Sequence, residues 1–486
     1  MAITNKNTRL LHRKEWQMMT SAPISSANGI TAIASEDGNF DYTLYLTSTT
    51  GAWLYSHDED SWVQAPSPGL SGTFGSGNAG CFSRWSSTFT TTSTGTATTA
   101  VITSSTANIG QPAVGQIIEF LSGTGVIGNR GTVTSVVNDP AGNVVITFSL
   151  IGSINGGTGA TVPSGATFRL STGRFFVLCA GTVASGSFKF YDVATNSWNA
   201  SAISITNLPS TWGTEGRMTS TFNYGETYGT GTATSATATT LVNTSKSWTT
   251  NQWSNYQVRI TGGTGLGQIR SIASNTATTL TVSTWTTTPD ATSTYVIEGN
   301  EDYLYLIGNG AVTLYRYSIS ANTWSVPSPT AARAVAPGAG ESLNYIGKSN
   351  SSAWADETNI KDGRYLYSFR GGATAGLDRY DIALNTWAAI TYAPANEGFS
   401  TGSGNACSHN LIYLRSSSNN RYFKYDVVTN TLLPFSTNLY SDGTAATGNR
   451  LWIRNYQSSV SDGSETIKWL YSIQNGGASM HRIMIY

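Results

Sequence analysis

The chain has 486 residues, enough for about three domains of ordinary size or one large all-β unit. Lys+Arg 27 and Asp+Glu 27 cancel, and charged residues make up 11% of the chain against about 25% in a typical globular protein; both a strongly basic nucleic-acid binder and an acidic solvating tail are excluded. The 14 Trp, 24 Tyr and 16 Phe exclude a disordered chain, while 51 Gly, abundant Ser and Thr and only 13 Pro suit short strands and tight turns.

The first residues, MAITNKNTRLLHRKEW, contain no apolar signal region, and no stretch approaches the roughly 20 apolar residues of a membrane span. The protein therefore reads as soluble, not exported by the ordinary secretory route and without membrane insertion. Arg9, Arg13 and Lys14 form a basic cluster too small for nucleic-acid binding, and KEWQMMTSAP around Trp16 reads as a lone strand. A strand at Leu44 to Leu46 then leads into the hairpin WLYSHDEDSW, in which Tyr55 stands seven residues before Trp62. The same unit recurs as Tyr191 and Trp198, Tyr317 and Trp324, Tyr380 and Trp387, and Tyr425 and Leu432. The residues between each pair are rich in Asp, Thr and Asn, as a hairpin turn requires. Before each Tyr lies a β-branched or aromatic run: FFVL ending at Leu178, YLYLIG at Tyr303 to Gly308, YLYSF ending at Phe369 and LIYL ending at Leu414.

Each unit thus predicts an antiparallel sheet of three or four strands, and repeated small sheets that must bury both faces stack radially as a β-propeller. The run at Trp469 to Ile473 and a strand ending in Tyr486 lack a partner, which the strand around Trp16 supplies. The predicted fold is all-β: a six-bladed propeller closed by pairing of its N- and C-terminal strands.

RYLYSFRGGATAGLDRYDIALNTW, at Arg364 to Trp387, resembles the Kelch-type β-propeller family in its apolar strand, its pair Gly371 and Gly372, and its Tyr-Asp-x-x-x-Asn-x-Trp hairpin. Gly476 and Gly477 offer a second pair, whereas the other blades carry TSTTG, CAGT, GNG or SSSN there.

Two Thr/Ser/Gly-rich segments widen the spacing of the repeat. TGTATTAVITSSTANIG parallels TGTATSATATTLVNTS, and GQIIEFLSGTGVIGNRGTVTSV parallels YQVRITGGTGLGQIRSIAS. NVVITFS likewise parallels TTLTVST, and VPSGATFRL parallels TPDATSTYVI. The expected division is a propeller from 1–85, 171–224 and 300–486, with small inserted β-barrels or sandwiches at 86–170 and 225–299. The second insert, with Thr244 to Trp248 and ITGGTGLGQIRSIASNTATTLTV, resembles a Thr-rich β-module of tailed-bacteriophage virion proteins.

Cys81, Cys179 and Cys407 are odd in number and far apart, so they read as small buried hydrophobes. Some Kelch propellers are copper radical oxidases, but His12, His57, His409 and His481 lie in different parts of the repeat, although Cys407 and His409 share a loop. Asp58, Glu59 and Asp60 read as turn chemistry rather than a calcium loop, and GGTGLG at Gly262 to Gly267 as a hairpin turn rather than a phosphate loop. Trp248, Trp253 and Trp285 suit either a small barrel core or a sugar-stacking face. No catalytic, metal or cofactor site is expected. The resemblances imply a non-enzymatic virion structural protein, made in the host cytoplasm, acting in the tail, nozzle or neck or as head decoration. Its implied partners are other virion proteins and copies of itself. The alternatives are a glycan-binding adhesin or receptor-binding module, acting on a host-surface glycan, and a copper oxidase.

Overall fold

A computed structural model describes residues 16–23, 31–34, 42–72, 78–86, 88–103, 112–126, 129–151, 161–193, 195–199, 203–212, 216–221, 227–308, 310–327, 333–347, 361–394, 397–400, 403–416, 421–437, 450–456, 467–473 and 479–485. All regular structure among them is β, so no helix is long and apolar enough to cross a membrane. Tyr486, His12, Gly476, Gly477 and the Arg9, Arg13 and Lys14 cluster lie outside the described residues.

The sheets form a β-propeller arrangement with five blades that stand as four-stranded sheets of their own, not six. One blade runs Thr31–Ala34, Tyr42–Leu46, Ala52–Ser56, Ser61–Gln64; the next self-contained blade runs Gly216–Ser220, Tyr303–Gly308, Tyr315–Ser318, Thr323–Ser325. Two more run from Asn344–Ile346 to Thr386–Ile390 and from Gly404–Ser408 to Thr431–Thr437. The fifth takes Arg450–Tyr456, Ile467–Ile473 and Met480–Ile485 from the end of the chain and Gln17–Met19 from its beginning. There Gln17 pairs with Arg482, Met18 with His481 and Met19 with Met480. Trp16 is buried in a cluster with Leu470, Ile483 and Tyr422.

The expected sixth blade is not a separate sheet. Its strands Ala79–Trp85, Phe188–Asp192 and Ser197–Trp198 share the long strand Thr167–Leu178 with strands of the first insert, giving one sheet of nine strands. The long strand changes register between Ser171 and Arg174, where Gly173 has a φ of 64°, a left-handed conformation that glycine adopts without strain. Residues before the bulge pair with Ile117–Phe120 and residues after it with Phe188–Asp192.

The second strand of each blade reads as a near-continuous apolar run because it is buried on both faces, packed between two neighbours. Tyr303–Gly308 and Tyr365–Phe369 are buried almost throughout, whereas the outer strand Thr386–Ile390 is largely accessible. Consecutive sheets share their apolar clusters. Leu44 and Leu46 pack with Phe175 and Val177, Phe176 with Leu304, Tyr305 with Leu366, Phe369 with Ile412, Tyr413 with Leu470, and Tyr471 with Tyr55. The innermost strands beginning at Thr31, Ala79, Gly216, Asn344, Gly404 and Arg450 neighbour one another in that order, and the last returns to the first.

The two inserts have the same strand order. In the first, Thr167–Leu178, Ile117–Phe120, Arg130–Asn138, Asn143–Ile151 and Thr99–Thr103 lie side by side. In the second, the order is Thr294–Glu298, Gln257–Gly262, Ile269–Asn275, Thr279–Val282 and Thr240–Val242. Each has an apolar cluster of its own, around Phe120, Phe148 and Phe168 or around Trp253, Tyr256 and Tyr295.

Candidate functional site

The repeated hairpin is the most regular side-chain arrangement in the molecule. Cross-strand pairing sets Tyr55 opposite Trp62, Tyr191 opposite Trp198, Tyr317 opposite Trp324, Tyr380 opposite Trp387 and Tyr425 opposite Leu432. The four Tyr–Trp ring centroids are 4.9, 5.4, 5.1 and 5.2 Å apart. Each Tyr hydroxyl donates to a residue of the turn, Asp60, Asn196, Asn322, Asn385 or Asn430; four of these bonds are 2.7, 2.7, 2.9 and 2.8 Å. All five acceptors have positive φ, between 48° and 54°, a conformation that Asn and Asp tolerate better than most residues. Burial raises the pKa of each of these phenols well above the usual 10.0, so they remain donors.

The turns also receive the linker from the preceding blade. Thr20 N donates to Asp60 at 2.9 Å, and Trp62 Nε1 donates to Thr20 O at 3.0 Å. Trp198 Nε1 donates to Pro66 O, Ser204 N to Asn322 Oδ1, and Ala393 N to Asn430 O. Spacing alone identifies the Tyr and Trp of each hairpin. The Asn or Asp five residues after the Tyr is visible in the sequence as well, but the second bond that Asp60, Asn322 and Asn430 accept from a linker has no local signature.

On the opposite face of the blades runs a second series of paired side chains. Tyr305 stands opposite Arg316, Tyr367 opposite Arg379, Tyr413 opposite Lys424 and Tyr471 opposite Arg482. The guanidinium carbons of Arg316, Arg379 and Arg482 lie 4.5, 4.2 and 4.4 Å from the ring centres of Tyr303, Tyr365 and Trp469. These cations are therefore used inside the blades, stacked on aromatic faces.

The candidate chemical groups are dispersed. His57 is buried and hydrogen-bonded to Thr43 Oγ1 at 3.0 Å, His409 sits at a turn with a φ of 52°, and His481 is buried in a terminal strand. Among the described residues no three His, Cys, Asp or Glu are grouped to hold a metal ion. Cys81 and Cys179 are buried, but Cys407 is only half-buried, its Sγ 3.3 Å from Tyr345 O. Gly263, Gly265 and Gly267 have positive φ in the turn joining two strands. Trp248, Trp253 and Trp285 are all buried in the second insert's cluster, so none of them offers a stacking platform for a sugar.

The second insert docks on the ring through polar contacts. Tyr228 donates to Gly347 O at 2.8 Å, Asn255 Nδ2 to Ile382 O at 2.7 Å, and Tyr256 to Asp362 O. A small cleft at this seam is lined by Asn255, Asn300, Tyr303 and Gly363. Gly363 has a φ of 72°, and the hydroxyls of Tyr228, Tyr256 and Tyr345 each lie 3.2 Å from where its Cβ would stand. At the base of both inserts Glu301 accepts from Trp85 Nε1 and pairs with Arg84, and Arg169 lies 4.1 Å from the Trp85 ring centre.

No protein-family profile matches the chain, and no curated protein matches it. Among solved structures, one similar chain belongs to the crystal structure of a mitotic checkpoint complex. It matches at a TM-score of 0.35 and 9% identity, over 97% of this chain and 91% of that one. At that level it carries no functional argument. The side chains fasten hairpin turns to linkers from the preceding blades and the second insert to the ring.

Proposed function

We propose that the protein is a non-enzymatic virion structural component of a tailed bacteriophage, acting in particle assembly from the tail, nozzle or neck or as head decoration. In this reading the ring is Kelch-like, and the row from Ala79–Trp85 to Ser197–Trp198 belongs to it while its second strand runs on into the first insert. The inner strands, neighbouring one another in a closed cycle, support a ring. The residues 86–170 and 225–299 are two copies of one Thr-rich module, and their common strand order supports it.

The observation that carries the functional reading is the fastening of the two inserts to the ring and to each other, with their large aromatics turned inward. A neutral, polar, stiff surface of this kind suits contact with neighbouring subunits. Host-surface glycan binding through Trp248 or Trp253 finds no support, because both rings are buried. The test is mass spectrometry and imaging of purified particles from the source that encodes the chain. The expected result is the protein at a fixed copy number in the particle; its absence from intact particles, or turnover of a small substrate by the free monomer, would overturn the proposal.

A further inference from the structure

When Gly123-Thr124-Gly125 of the first insert is aligned on Gly263-Thr264-Gly265 of the second, Glu119 falls on Arg259 without a gap. These two residues meet in space. Glu119 Oε1 is 2.9 Å from Arg259 Nη2, and Glu119 is fully buried. Arg130 and Arg169 of the first insert also hold Glu119, at 2.8 and 2.6 Å. Glu298 of the second insert holds Arg259 at 2.7 Å and reaches Arg130 at 3.4 Å. The same position in two related sheets thus carries opposite charges and faces its counterpart.

We infer that the two inserts are a built-in pair that recognise each other through Glu119 and Arg259 and behave as one rigid body rather than as two independent arms. The charge difference selects the mixed pair: two first inserts would set Glu119 against Glu119, and two second inserts Arg259 against Arg259, each burying like charges. Removing Glu119 leaves Arg169 without its carboxylate and Arg259 with Glu298 alone, and removing Arg259 takes from Glu119 its one partner in the other insert, so the disturbance crosses from one insert to the other.

The test is hydrogen exchange on the full-length protein, comparing wild type with Glu119→Gln, Arg259→Gln and the double variant. Each single variant is expected to speed exchange about tenfold or more both in Ile117–Phe120 and in Gln257–Gly262, with Tyr365–Phe369 unchanged. The double variant is expected to be no worse than the worse single. Faster exchange confined to the insert that carries the substitution, or effects that multiply in the double variant, would overturn the inference. Should Glu119→Gln fail to fold, Arg130→Gln serves instead, because Arg130 is 28% exposed yet touches both Glu119 and Glu298. It is expected to loosen both inserts by a smaller factor, and a second insert unaffected by it would count against the pairing.

Discussion

Asn385 shows how much one turn residue does in this molecule. At a φ of 54° it accepts the Tyr380 hydroxyl, so its replacement acts on backbone and hydrogen bond together. Asn385→Ala is expected to cost about 2 kcal/mol, from roughly 1 for the left-handed backbone and roughly 1 for the orphaned hydroxyl. Asn385→Gly, which removes only the bond, is expected to cost about 1 kcal/mol. Urea unfolding of the variants checks this, and equal losses for Ala and Gly would assign the effect to the bond alone. Trp324, buried between blades against Phe188, makes a larger contribution: Trp324→Ala is expected to lose about 3–5 kcal/mol by the same measurement. The Tyr and Trp positions were legible because a hairpin imposes a fixed spacing. The opposite-face series of Tyr303 with Arg316 and Tyr365 with Arg379 was not, because a diagonal cross-strand contact has no constant offset in sequence.

At the scale of elements, the parallel phrases of the two Thr-rich segments are accompanied by a common strand order. Their mutual contact was not legible, since Glu119 and Arg259 are far apart in the chain and each looks like an ordinary strand residue. Nor was the strand Thr167–Leu178, in which an insert and a blade share one backbone through the bulge at Gly173. Glu119 gives this region a pH dependence. Burial acts to raise its pKa, but Arg130, Arg169 and Arg259 outweigh burial and hold it well below the usual 4.5. A depressed carboxylate contributes stability that is present above the unfolded value and lost as pH falls through the folded one. Insert stability, followed by hydrogen exchange, is therefore expected to be constant above about pH 4.5 and to decline in stronger acid. Glu119→Gln is expected to remove that acid-sensitive part; an unchanged acid profile in the variant would exclude Glu119 as its source.

For the whole molecule, the sequence reading reached the all-β propeller and the joining of its two ends. The expected count of six blades differs from the five observed because one set of strands is continuous with the first insert. Local periodicity cannot reveal such a merger. Closure rests on Gln17–Met19 lying against Met480–Ile485, on burial of Trp16 and Met19, and on Thr20 bridging to Asp60 of the next blade. The most direct test is urea unfolding of the full-length chain beside one lacking residues 1 to 23. Loss of the strand and its buried side chains is expected to lower stability by about 5 kcal/mol and to move the transition of the whole ring. An unchanged midpoint, or a change confined to Ile467–Ile473 and Met480–Ile485 with every other blade as stable as before, would contradict a ring held shut by its two ends.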